Sequence, residues 1–209
     1  MASGAGATKT SAIVCEFLEA AIHTTLRVRG VYPAEVFERR RLYNVAVSRS
    51  RHPGLNEYIR ETIYSLEPWI EGGTLEKLAV LFIDANDRPV ERLVFQVKVL
   101  KEISGAGAAG LDGEGDRDLI SCDDLEHMLR ALILKIQVSD AMLSPLPEDC
   151  RFELLAYSWS RDERGSGEVW VDETRAVSER NQIADPKLVP IKSVTSDFLS
   201  MQIFAECVK

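Results

Sequence analysis

The chain has 209 residues, of which 45% are hydrophobic and 28% charged, and a formal net charge of −8. That balance fits one large domain with ample core material and excludes a disordered or collagen-like bulk. The acidic excess argues against a whole-surface nucleic-acid footprint, and no apolar run approaches the ~20 residues needed to cross a bilayer.

Residues 1–11 are small and polar and lack the charged, apolar, small-residue order of a secretory signal. They are read as a disordered arm ahead of a single domain over 12–209, in a soluble intracellular protein. From Ile13 the residues Val14, Phe17, Leu18, Ala21, Ile22 and Leu26 recur at three- and four-residue steps, the apolar stripe of a helix. Gly30 and the Tyr32-Pro33 step end it. The basic run Arg39, Arg40 and Arg41, extended by Arg49 and Arg51, is read as a solvated loop; direct DNA contact is the alternative. A second helix opens near Pro53 with the stripe Leu55, Ile59, Ile63 and Leu66, and Pro68 kinks or ends it.

Leu78 to Ile83 is a continuous apolar run of strand length, and Asp84 to Pro89 supplies turn residues. Leu93, Phe95, Val97 and Val99 then alternate as the returning strand of a hairpin. The run Ser104 to Asp118 is glycine- and acid-rich and reads as a mobile loop. Ser121 and Asp124 resemble a capping box opening a third helix, which carries Leu125, Met128, Leu129, Leu132, Ile133 and Ile136. Phe152 to Trp159 and Val169 to Val171 are strand candidates. After a long connection with few apolar anchors, Phe198 to Val208 reads as a terminal strand.

Chemistry is hard to place on this pattern. There is no nucleophile elbow and no Walker loop, and Gly105, Gly107 and Gly110 spell a GxGxxG only inside an acidic loop that would repel phosphate. Cys15, Cys122, Cys150 and Cys207 form no CxxC pair, and with His23, His52 and His127 they would build a zinc site only from distant positions. His23 with Glu19, and His127 beside Glu126, read as structural. No cofactor, metal site or catalytic residue is expected, and the chain is read as a binding domain, not an enzyme.

Several segments resemble the HORMA-domain family, in the branch that supplies the accessory subunit of translesion DNA polymerase zeta. They are CEFLEAAIH (Cys15 to His23), VRGVYPAEVFERRRLYNV (Val28 to Val45), HPGLNEYI (His52 to Ile59) and RPVERLVFQV (Arg88 to Val97). LRALILKI (Leu129 to Ile136), DPKLVPIK (Asp185 to Lys192) and TSDFLSMQIF (Thr195 to Phe204) continue the resemblance in order. It implies an α+β fold, a central antiparallel sheet backed by three helices, with a safety belt over residues 160–209. The belt would close on a proline-containing peptide of the polymerase zeta catalytic subunit, added at a sheet edge. Its long, sparsely anchored approach would let it leave and re-dock at low cost.

By the same resemblance, Tyr32, Tyr58 and Trp170 correspond to peptide-contacting positions, against core packing as the alternative for each. Leu188, Gln202 and Phe204 correspond to the surface for a Rev-one-type deoxycytidyl transferase scaffold, with a phenylalanine where the family has tyrosine. Arg130 corresponds to a self-association residue. An AAA-type ATPase acting on residues 1–11, a homodimer and a nuclear location, with the cytoplasm as a second, complete the implied picture. A checkpoint switch of the same fold is the rival function.

Overall fold

The computed structural model describes residues 10–100, 122–158 and 182–209. The first helix, α1 (Thr10–Val28), is the hub of the domain. It packs on α2 (Pro53–Ser65), the one-turn α3 (Glu67–Glu71), α4 (Cys122–Gln137) and a hairpin strand. Its expected stripe is buried, and Ala20, His23, Thr24 and Thr25 are buried too, so α1 is enclosed on nearly every side. A Schellman arrangement ends it. Gly30 sits at φ +68°, its N–H bonds the Arg27 carbonyl, and the Val31 N–H reaches back to Leu26.

The five-stranded antiparallel sheet contains β3 (Leu75–Ile83), β4 (Pro89–Val99), β5 (Arg151–Ser158), β6 (Lys187–Thr195) and β7 (Leu199–Cys207). Its order is β5-β3-β4-β7-β6. Side chains alternate across it. Leu78, Val80 and Phe82 of β3, Leu93, Phe95 and Val97 of β4, and Leu199, Met201, Ile203 and Ala205 of β7 meet the helices in one core. On the opposite face Ala79, Val94 and Tyr157 form a small second cluster with Leu155 and Phe204. An Arg92–Glu206 ion pair and Lys77 over the Tyr157 ring, 4.7 Å from its centroid, lie on that face. Among the described residues, no helix is long and apolar enough to cross a membrane.

One sequence expectation needs correction. The Arg39–Arg41 run is not a loop. It lies in β1 (Phe37–Leu42), paired with β2 (Val45–Ser50) in a separate two-stranded sheet. Tyr43 and Asn44, at φ 46° and 58°, make its two-residue turn, the left-handed geometry that matches strand twist. The connection read as sparsely anchored, Asp172 to Asp185, lies outside the described residues up to position 181. The terminal strand expected after it is β7, which pairs on both sides and buries four side chains. His23 also has a partner other than Glu19: its Nδ1 accepts the Ser50 N–H at 3.4 Å.

Candidate functional site

β5 lies at one end of the sheet, and in the strand order its only described neighbour is β3. Its residues are mostly half-buried, where β3 and β4 are largely buried. The Leu154 N–H donates to the Tyr58 hydroxyl at 3.3 Å, away from the β3 ladder. Antiparallel alternation then puts the main-chain groups of Phe152 and Ala156 on the same outer edge as those of Leu154.

Beside this edge lies a cavity of about 390 Å³ lined by Tyr32, Val36, His52, Leu55, Tyr58 and Phe152. Each wall follows from local sequence. The Schellman turn redirects the chain through Tyr32 and Pro33 into a 3-10 turn (Ala34–Val36) that presents Val36. His52 caps α2, its Nδ1 accepting the Leu55 N–H at 3.2 Å, with Pro53 in the first helical position. Leu55 and Tyr58, three residues apart, then share a helical face. Phe152 enters from the first turn of β5. Its ring meets Tyr32 edge-on at 6.2 Å and Tyr58 at 5.9 Å, both favourable tilted geometries. Burial, and then the neighbouring Tyr58, push the Tyr32 phenol above its ordinary value. Tyr58 keeps 42% of its surface exposed, so the cavity opens to solvent. An apolar aromatic slot beside a strand with no second strand neighbour among the described residues can take an extended strand, with ladder bonds for affinity and the slot for side-chain choice.

Family-model matching assigns residues 10–161 to the HORMA domain. The chain belongs to the HORMA-domain family. The match to human "Mitotic spindle assembly checkpoint protein MAD2B" is 37% identical over 202 residues, covering 93% of this chain and 89% of that protein. With the Arabidopsis thaliana "DNA polymerase zeta processivity subunit" the identity is 37% over 194 residues, covering 91% and 82%. A chain of the solved "Mitotic Checkpoint Complex" superposes with a TM-score of 0.71 at 23% identity, covering 96% and 99%. C. elegans HTP-2 bound to a HIM-3 closure motif gives 0.65 at 10%, covering 95% and 89%. These two share the HORMA fold with this chain.

On this HORMA domain the sequence-predicted residues divide into three places. Tyr32 and Tyr58 come together through Phe152. Trp170 lies outside the described residues, as do the GxGxxG run and the Val169–Val171 strand candidate. Gln202 and Phe204, two apart on β7, share the sheet's outer face. Leu188 is opposite Glu206 on β6 and is 62% exposed. Phe204 is half-buried because its ring also packs on the Ala79–Val94–Tyr157 cluster. Arg130 is half-buried on α4, in the helical layer and not on the sheet. Sequence reading missed Phe152, Val36, Leu55 and His52 as site residues. The signal available was Phe152 opening a strand, but nothing in the pattern marks that strand as an edge.

Proposed function

We propose that this chain is a non-catalytic adaptor of DNA damage tolerance. It captures a proline-containing peptide of the polymerase zeta catalytic subunit along β5, and presents Leu188, Gln202 and Phe204 to a Rev-one-type deoxycytidyl transferase scaffold. The observation that carries it is the β5 edge, which has no strand neighbour but β3 among the described residues, flanked by the Tyr32–Phe152–Tyr58 slot. The name of the Arabidopsis relative supports the process. In this reading residues 160–209 form the belt that closes on the guest, with Trp170 packed over it. Arg130 serves self-association, an AAA-type ATPase acts on residues 1–11, and the protein works in the nucleus.

Leu188, on β6, stands at the opposite end of the sheet from β5, so the two surfaces separate by mutation at that residue. Leu188→Ala is expected to weaken scaffold binding several-fold in a pull-down while leaving capture of the catalytic-subunit peptide intact. Equal loss of both would refute the two-surface reading. A checkpoint switch of the same fold is the second reading, favoured by the 30% identity over 193 residues with the yeast "Mitotic spindle checkpoint component MAD2". Two slowly exchanging unliganded conformers on ion exchange would support the switch; a single one supports the adaptor.

A further inference from the structure

We propose that the cavity between α1, the β1–β2 hairpin and α2 is a docking pocket for the phosphorylated side chain of a partner peptide. It encloses about 450 Å³, the scale of a single-ligand site, and shares no lining residue with the aromatic slot. Arg40 and Arg41 reach it from β1, Arg49 from β2 and Arg60 from α2, while α1 contributes Glu16 and Glu19. Four guanidinium groups stand against Glu16, Glu19 and the Glu38 that pairs with Arg40, a local excess of one positive charge on a chain whose net charge is −8.

Two of the four cations, Arg49 and Arg60, are only lightly engaged. Arg49 approaches Glu19 no closer than 3.9 Å, and Arg60 lies over the Tyr64 ring, 5.6 Å from its centroid. Arg40 pairs with Glu38, which is outside the cavity lining, and Arg41 with Asn44 at the hairpin turn. His23 also lines the cavity and is almost wholly buried. Its Nδ1 accepts the Ser50 N–H, so the neutral ring carries its proton on Nε2, and that donor has no acceptor among the described residues. That nitrogen has no accessible surface, so His23 borders the pocket as a buried neighbour and does not itself contact the ligand.

Planar donors converging from three elements suit a compact dianion better than a single carboxylate, since a phosphoryl group offers three acceptor oxygens. The form of the site also chooses between macromolecules. Glu16 and Glu19 would repel a polyanion laid along the groove. Those carboxylates instead suit a peptide, whose main-chain N–H groups they can accept.

The test uses the full ¹⁵N-labelled chain, titrated with a capped Gly-phosphoserine-Gly peptide, its unphosphorylated twin, sulfate at matched ionic strength, and a single-stranded 12-mer DNA. The expected result is saturable shifts of the Arg49 and Arg60 Nε–H and His23 ring signals with the phosphopeptide alone. Arg49→Glu and Arg60→Gln, with melting curves confirming the fold, should each weaken binding at least tenfold, and Arg151→Glu, remote from the cavity, should not. Equal shifts with sulfate, with the unphosphorylated twin, or spread over Arg88 and Arg151 would overturn the proposal. Tighter binding of the DNA at the same arginines would overturn it too.

Discussion

Tyr58 presents its ring to Phe152 and its hydroxyl to the Leu154 N–H, so the two parts can be tested apart. Tyr58→Ala opens the slot and is expected to lower affinity for a captured peptide about 10- to 100-fold, the range for truncating an aromatic anchor. Tyr58→Phe keeps the ring and frees the Leu154 N–H for the guest strand, so its affinity should stay within about threefold of the native value. Titration calorimetry on both variants checks this; equal losses would mean that the hydroxyl, not the ring, carries the contact. His23 gives a second residue-scale expectation. Burial, and then the nearby Arg49, lower its pKa from 6.5 to about 4. Between those values the unfolded chain holds a proton that the folded one refuses. Its contribution is therefore complete above pH 6.5 and is lost as pH falls toward 4, amounting to about 3 kcal/mol. His23→Leu should flatten the pH dependence of unfolding free energy in that window by close to one proton. An unchanged slope would show that another group is responsible.

At the scale of elements, one buried ion network ties together segments far apart in sequence. Arg29, one residue beyond α1, makes two 2.8 Å bonds to Glu91 of β4 and a 2.6 Å bond to Asp140. It also donates to the Ser144 carbonyl at 2.7 Å, and the Cys207 thiol at the end of β7 lies 3.8 Å from Glu91. Burial raises the Glu91 carboxyl above its ordinary value, and the Arg29 guanidinium opposes that rise. Removing one partner strands the other charge in the core, so Arg29→Met is expected to cost about 3–5 kcal/mol. Adding Glu91→Leu should recover much of that loss in denaturant unfolding, whereas additive losses would show that the pair is not coupled.

The same scale shows what the sequence made legible. The stripes of α1, α2 and α4, the β3–β4 hairpin and β7 were all evident because burial on one side imposes a period. The β1–β2 hairpin escaped because three consecutive arginines mask the Phe37, Val45 and Val47 contacts, and its turn uses Tyr43-Asn44 in place of a glycine pair. β6 escaped because Pro186 and Pro190 read as strand breakers. The sheet tolerates Pro190 at an edge, next to a register shift before Lys192. Tyr32 and Tyr58 were found through family resemblance, since an aromatic slot assembled from three separate segments leaves no periodic trace. Their common partner Phe152 was visible only as part of a strand.

For the molecule as a whole, the decisive asymmetry is between the two ends of the sheet. Four inter-strand steps of ~4.8 Å put β5 and β6 about 19 Å apart, far enough for two partners to bind without touching. β7 stands between β4 and β6 with Leu199, Met201 and Ile203 fully buried, and exposing those three side chains would cost roughly 5–9 kcal/mol. On the proposed reading a guest strand joins at β5, and because β6 and β7 are the anchored end of the belt, its closing movement falls to the residues that precede them. Amide hydrogen exchange on the chain with and without a proline-containing partner peptide tests this most directly. New protection at Phe152, Leu154 and Ala156, with β6 and β7 exchanging as before, is the expected result. Protection that appears on β6 or the helices while the β5 amides remain unchanged would contradict it.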